Sequence, residues 1–178
     1  MNTRIARGFL WGVLATVAMT CVHFGIWAVE GRLTIHAMAT QMMPAIIIAR
    51  MFGPGLPVST HLLLAAAIHL GYGGFWGAML FALTRRVTFW KGLAMAAFLY
   101  LGAHIFLSPL LRGGVAAGSS PRGIFAAWFS WFSIATHFTY GASLGLLGAW
   151  SDRTVVTARL APEKSEMRPA SPKTGYAG

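Results

Sequence analysis

Residues 61–83 read HLLLAAAIHLGYGGFWGAMLFAL and contain no Asp, Glu, Lys or Arg. Roughly 20 mostly apolar residues carry an α-helix across the hydrocarbon core of a bilayer. This stretch is long enough, and it lacks the alternation of a barrel strand. It reads as a transmembrane helix and sets the fold class: an all-α, polytopic membrane protein.

Working outward, three further apolar blocks have the same character: Phe9–Val29, Gly92–Leu111 and Ile124–Trp150. The 178 residues are 56% hydrophobic and only 10% charged, so four spans leave no room for a soluble domain. Residues 1–151 are expected to form one four-helix transmembrane domain. Residues 152–178, basic and proline-containing without apolar periodicity, are expected to form a disordered cytoplasmic tail with weak affinity for anionic lipid. Phe9–Val29 is expected to stay as an uncleaved anchor, because its apolar core is long and Ala28-Val29-Glu30 is a poor cleavage site.

The net charge of +10 is explained by its placement. Arg4, Arg7, Arg85, Arg86, Lys91, Arg153, Arg159, Lys164, Arg168 and Lys173 fall on one side of the four spans, and Arg32, Arg50, Arg112 and Arg122 on the other. The positive-inside rule puts the first group, and both termini, in the cytoplasm of a bacterial inner membrane. No folded basic surface with interleaved aromatics exists for nucleic acid. Trp11, Trp90 and Trp150 near the inner ends, and Trp27 and Trp128 near the outer ends, mark headgroup depth. Cys21 is the only cysteine, which excludes an intrachain disulfide.

The connection Glu30–Thr60 contains an apolar run, 36–52, that carries Gln41, Pro44 and Arg50 and ends at Gly53-Pro54-Gly55. It is expected to be an interfacial or re-entrant helix on the outer side; as a fifth span it would break the charge bias. Arg112–Gly123, rich in Gly, Ser and Pro, is expected to be a flexible outer loop.

An internal repeat joins the second and fourth spans. His69-x-x-Tyr72-Gly73-x-x-x-Gly77 recurs as His137-x-x-Tyr140-Gly141-x-x-x-Gly145. Arg7-Gly8 and Lys91-Gly92 open the first and third spans, and a histidine follows deep in each. The pattern predicts two similar helical hairpins running in the same direction. Residues four apart share a helix face, so Gly73, Gly77, Gly141 and Gly145 predict close helix packing and turn His69 and His137 inward.

His23, His69 and His104 lie roughly 9 to 12 Å below the outer boundary and His137 about 15 to 20 Å below it. Three uses of such a group remain open. Neutral imidazoles can hydrogen-bond across helices to Thr16, Thr20, Ser133, Thr136 or the tyrosines. They can ligate haem iron or another transition metal. They can line a proton or small-solute path, though no carboxylate lies inside a span. Motifs for catalysis are absent: there is no His-Glu-x-x-His, no glycine-rich phosphate loop and no paired carboxylate. Ser133 lies four residues before His137, but serine within a membrane helix usually bonds its own backbone.

Arg7-Gly8 opening a run that ends Ala15-Thr16-x-x-Met19, the two His-x-x-Tyr-Gly-x-x-x-Gly segments and Ser108-Pro109-Leu110 together resemble small uncharacterised bacterial four-helix inner-membrane proteins, over Arg4 to Trp150. The resemblance implies fold and compartment, and no catalytic residue. The expected function is a non-enzymatic accessory or packing subunit of a membrane complex, or a homo-oligomer, in contact with the lipid bilayer. The alternatives are a haem- or metal-binding redox subunit using His23, His69, His104 and His137, and a proton or solute pathway.

Overall fold

The computed structural model describes residues 3–53, 55–107 and 131–160. The expected outer loop, Ser108-Pro109-Leu110, the start of the fourth span with Trp128, and residues 161–178 lie outside them. Among the described residues the chain is all-helical, in the order α1 (Thr3–Val29), α2 (Ile35–Gln41), α3 (Met43–Phe52), α4 (Val58–Leu83), α5 (Phe89–Gly102) and α6 (Trp131–Leu160). Helix α5 runs on into a wider π-type turn, Ala103–Leu107. Helices α1 and α4 are each long and apolar enough to cross a membrane, the α2–α3 pair would be a third only if taken as one broken span, and Phe89–Ile105 is a shorter apolar helix. Helix α6 runs through Ser151 to Leu160, into the segment expected to be tail.

Local chemistry sets the ends. Gly31 takes φ 67° after α1, and the amides of Gly31 and Arg32 return to the carbonyls of Ala28 and Trp27 at 3.1 and 2.8 Å. That closure needs a left-handed residue, which glycine supplies without a Cβ penalty. The Thr34 hydroxyl caps α2 by accepting from the Ala37 amide at 3.0 Å. The run 36–52 is not one helix. Met42 is extended (φ −72°, ψ 131°) and the two arms meet at 71°. Pro44 has no amide to continue α2 and its ring would strike the carbonyl four residues back, so it begins a new helix.

Along most of α1, packing places small residues inside and large ones outside, with Trp27 near its end the buried exception. Gly8, Gly12, Ala15 and Thr16 of α1 are buried, whereas Phe9, Leu10, Leu14 and Val17 are exposed. This is the distribution of a helix that meets neighbours through small residues and lipid through large ones. Gly8 and Gly12 stand against the backbone of Gly77 and Gly73 on α4. Gly92 and Ala96 of α5 stand against Gly141 and Gly145 of α6; a Cβ on Gly145 would come 2.8 Å from the Phe89 Cα. Helix α1 packs on both α4 and α6, and α5 packs on α6. Helices α4 and α5, though consecutive, scarcely touch. A two-fold axis exchanging the α1–α4 and α5–α6 pairs would make α4 and α5 as close as α1 and α6, so that exchange is not a symmetry of this bundle.

One end of the bundle is tied by charge. Arg4 donates to the carbonyls of Phe81 and Thr84 at 3.0 and 2.6 Å, at the end of α4. Asp152 accepts from the Val87 amide at 2.9 Å and stands 3.9 Å from Arg4. Next to this lock lies the main core: Ala15, Leu80, Phe81, Val87, Leu99, Tyr140 and Leu144. A smaller cluster, Ala45, Ile48 and Ala65, seats α3 on α4, helped by His61, whose Nε2–H donates to the Ala45 carbonyl at 2.8 Å.

Candidate functional site

The splay between α4 and α5, walled on one side by the α2–α3 bend, leaves a cavity of about 400 Å³. All four histidines singled out from the sequence line it: His23 from α1, His69 from α4, His104 from the π-type turn after α5 and His137 from α6. Helical spacing explains their convergence. Thr16, Met19, Thr20 and His23 make one face of α1, and Ile68, His69, Tyr72 and Gly73 one face of α4. On α6 the lining residues are Phe132, Ser133, Thr136, His137 and Tyr140. On α5 the wider turn carries Ala103 and His104 round to the side of Leu99.

The imidazoles are held differently. His137 Nδ1 lies 2.8 Å from the Ser133 carbonyl. A carbonyl only accepts, so Nδ1 carries the proton and Nε2 of the neutral ring keeps its lone pair. His104 Nε2 lies 2.8 Å from the Ser133 hydroxyl. The His104 and His137 rings are 6.3 Å apart, with Tyr100 4.5 Å from the first and 5.5 Å from the second. His23 sits in an aromatic box, 4.4 Å from Trp27 and 4.5 Å from Phe132. Its Nε2 is buried without a hydrogen-bond partner among the described residues. Of the other two histidines, His61 joins α3 to α4 and His36 is exposed on α2.

The floor is closed by Tyr140, whose hydroxyl donates to the Gly73 carbonyl at 2.8 Å, and by Thr16 against Gly73. Below it lie the glycine contacts of α1 with α4. Gly73 and Gly141 therefore stand where cavity gives way to close packing, with Gly77 and Gly145 a turn further into that packing. The α2–α3 wall contributes Gln41, Met42, Met43, Pro44 and Ile47. Arg32 fixes its edge by donating to Gln41 Oε1 at 2.9 Å and to Glu30 at 3.1 Å.

Among the described residues, no carboxylate lines the cavity and no group of three or more His, Cys, Asp or Glu is placed to hold a metal ion. The Ser133–His104 pair has nucleophile–base separation and bonds two helices to each other. Sequence reasoning passes over Met19, Met42 and Met43, because methionine is ordinary filling in an apolar run. The available signal was the adjacency of Met42-Met43 to Pro44, which breaks the helix between them and Gln41. Comparison of the chain with protein-family models, with curated proteins and with solved structures finds no match.

Proposed function

We propose that the chain is a four-helix integral protein of the bacterial inner membrane that holds a small ligand in its histidine cavity and is not an enzyme. The observation that carries this is the convergence of four histidines, from four different helices, on one space of about 400 Å³. A subunit selected only for packing would fill that space, because protein interiors are packed as closely as organic crystals. Buried imidazoles are costly unless satisfied, and His23 Nε2 is left for a partner from outside the described residues. The closed floor argues against a continuous proton or solute path: Tyr140, Thr16 and the glycine contacts lie between the cavity and the Arg4–Asp152 end.

The same features support an arrangement in the membrane. The four spans are α1, α4, α5 with its π-type turn, and α6. The two hairpins are α1–α4 and α5–α6, each clasped by glycines at the repeated motif. The Arg4–Asp152 end faces the cytoplasm, where most of the basic residues fall.

The test is native mass spectrometry and oxidised-minus-reduced absorption of the full chain purified in mild detergent, with metal analysis of the same sample. A bound species, organic, haem or metal, is expected in the wild type and lost in His69→Leu. A chain that emerges empty, and that no added metal or haem occupies, overturns the proposal and returns the histidines to a role as interhelical hydrogen bonders.

A further inference from the structure

We infer that the cavity is a site for a soft monovalent cation, copper(I), held by imidazole and thioether groups; this rests on reading the cavity as a ligand site. Three observations point the same way. The first is donor type. Besides its histidines the cavity is lined by Met19, Met42 and Met43. Thioether sulfur is a poor ligand for hard cations and a selective one for copper(I), and imidazole accepts the same metal.

The second is how the methionines arrive. Met42 is extended between α2 and α3, at the bend that walls the cavity, and both Met42 and Met43 line the space. On the other side, the Ser133 carbonyl holds His137 in the tautomer whose Nε2 can ligate. A metal-bound histidine characteristically has its second nitrogen fixed in this way.

The third is charge. Every donor in the lining is neutral, with no carboxylate and no thiolate. The cost of burying an ion rises with the square of its charge, so a divalent ion costs about four times as much as a monovalent one in the same neutral site. That cost weighs against zinc and copper(II), which imidazole also binds, and thioether sulfur adds the preference for copper(I). Sodium and potassium want oxygen ligands; the hydroxyls of Thr16, Thr20, Thr136 and Tyr140 also line the cavity, each donating to a backbone carbonyl, and the thioethers are what single out copper(I). No three of the described His, Cys, Asp or Glu are placed to share an ion, so the site takes at most two of the histidines and methionine completes the donor set.

The experiment is an anaerobic titration of the chelator-stripped full chain in detergent with copper(I), in competition with the coloured copper(I) ligand bicinchoninate. About one copper(I) per chain is expected. His69→Leu and the pair Met42→Ile with Met43→Ile should each weaken binding by about tenfold or more. The isoleucines keep apolar volume and remove only sulfur, and circular dichroism and gel-filtration elution report whether each variant folds. If the pair does not fold, Met19→Leu takes its place with the same expectation. His36→Ala should leave binding unchanged.

The copper assignment falls if the methionine variants bind copper(I) like the wild type, if zinc(II) binds instead, if His36→Ala abolishes binding, or if no copper(I) is taken up. Native mass spectrometry of the unstripped protein separates that failure from failure of the ligand site itself. Another bound species lost in His69→Leu leaves the site standing without copper, and an empty chain that nothing fills removes both.

Discussion

At the scale of single residues, the two copies of the repeated motif do different work. Tyr72 and Tyr140 hold the same place in it, yet Tyr140 is 4% exposed and Tyr72 47% exposed. Among the described residues, Tyr140 alone of the two donates to the opposite hairpin, at the Gly73 carbonyl. Removing that hydroxyl leaves a buried carbonyl with its helical bond alone, a loss of about 0.5–1.5 kcal/mol. Tyr140→Phe is therefore expected to lower the thermal midpoint of the detergent-purified protein, and Tyr72→Phe to lower it less; equal shifts would deny the Gly73 bond its part in closing the floor. The motif was legible as a helix face because spacing by four is written in the chain. The asymmetry was not, since it depends on α1 meeting α6 while α4 stands off α5. Asp152 was unreadable for the same reason: its partners Val87 and Arg4 lie far away in sequence, and an acid just beyond a span looks like ordinary solvated charge.

At the scale of elements, long apolar runs gave the extents of α1 and α4 well, because burial in lipid demands a minimum length. The run 36–52 was harder. Proline near a helix start and proline in a kink have the same local sequence, and only the extended Met42 shows that Pro44 starts a new helix. Helix α2 has 7 residues, too few to be stable without help. It depends on the Thr34 cap at one end and on the Arg32–Gln41 bond at the other. Thr34→Ala should cost about 1 kcal/mol. Amide exchange across Ile35–Gln41 should then quicken by about fivefold, with α4 unchanged. Hydrogen exchange read by mass spectrometry checks this. Protection of α2 equal to the wild type would mean that contacts with α3 and α4, rather than the cap, hold this wall of the cavity.

At the scale of the whole molecule, the question is on which side of the bilayer the cavity lies and whether the α2–α3 pair crosses it. The arms have 7 and 10 residues, about 25 Å of helix even if straight. That is less than the roughly 30 Å of a hydrocarbon core, and the 71° bend shortens it further. Both arms also lean on α4, and α3 is pinned there by His61. The pair is thus expected to enter the membrane from one side and return, forming the cavity wall. Single cysteines at Leu33, Ser59 and Arg86, in a Cys21→Ser background, separate the arrangements when spheroplasts are treated with a membrane-impermeant maleimide. Leu33→Cys and Ser59→Cys should label on intact spheroplasts, and Arg86→Cys only after lysis. Labelling of Arg86→Cys alone would invert the orientation and place the cavity in the cytoplasmic half. Labelling of only one of Leu33→Cys and Ser59→Cys would make the bent pair a span, put the ends of the bundle on opposite faces, and remove the charge bias from which the cytoplasmic placement was argued.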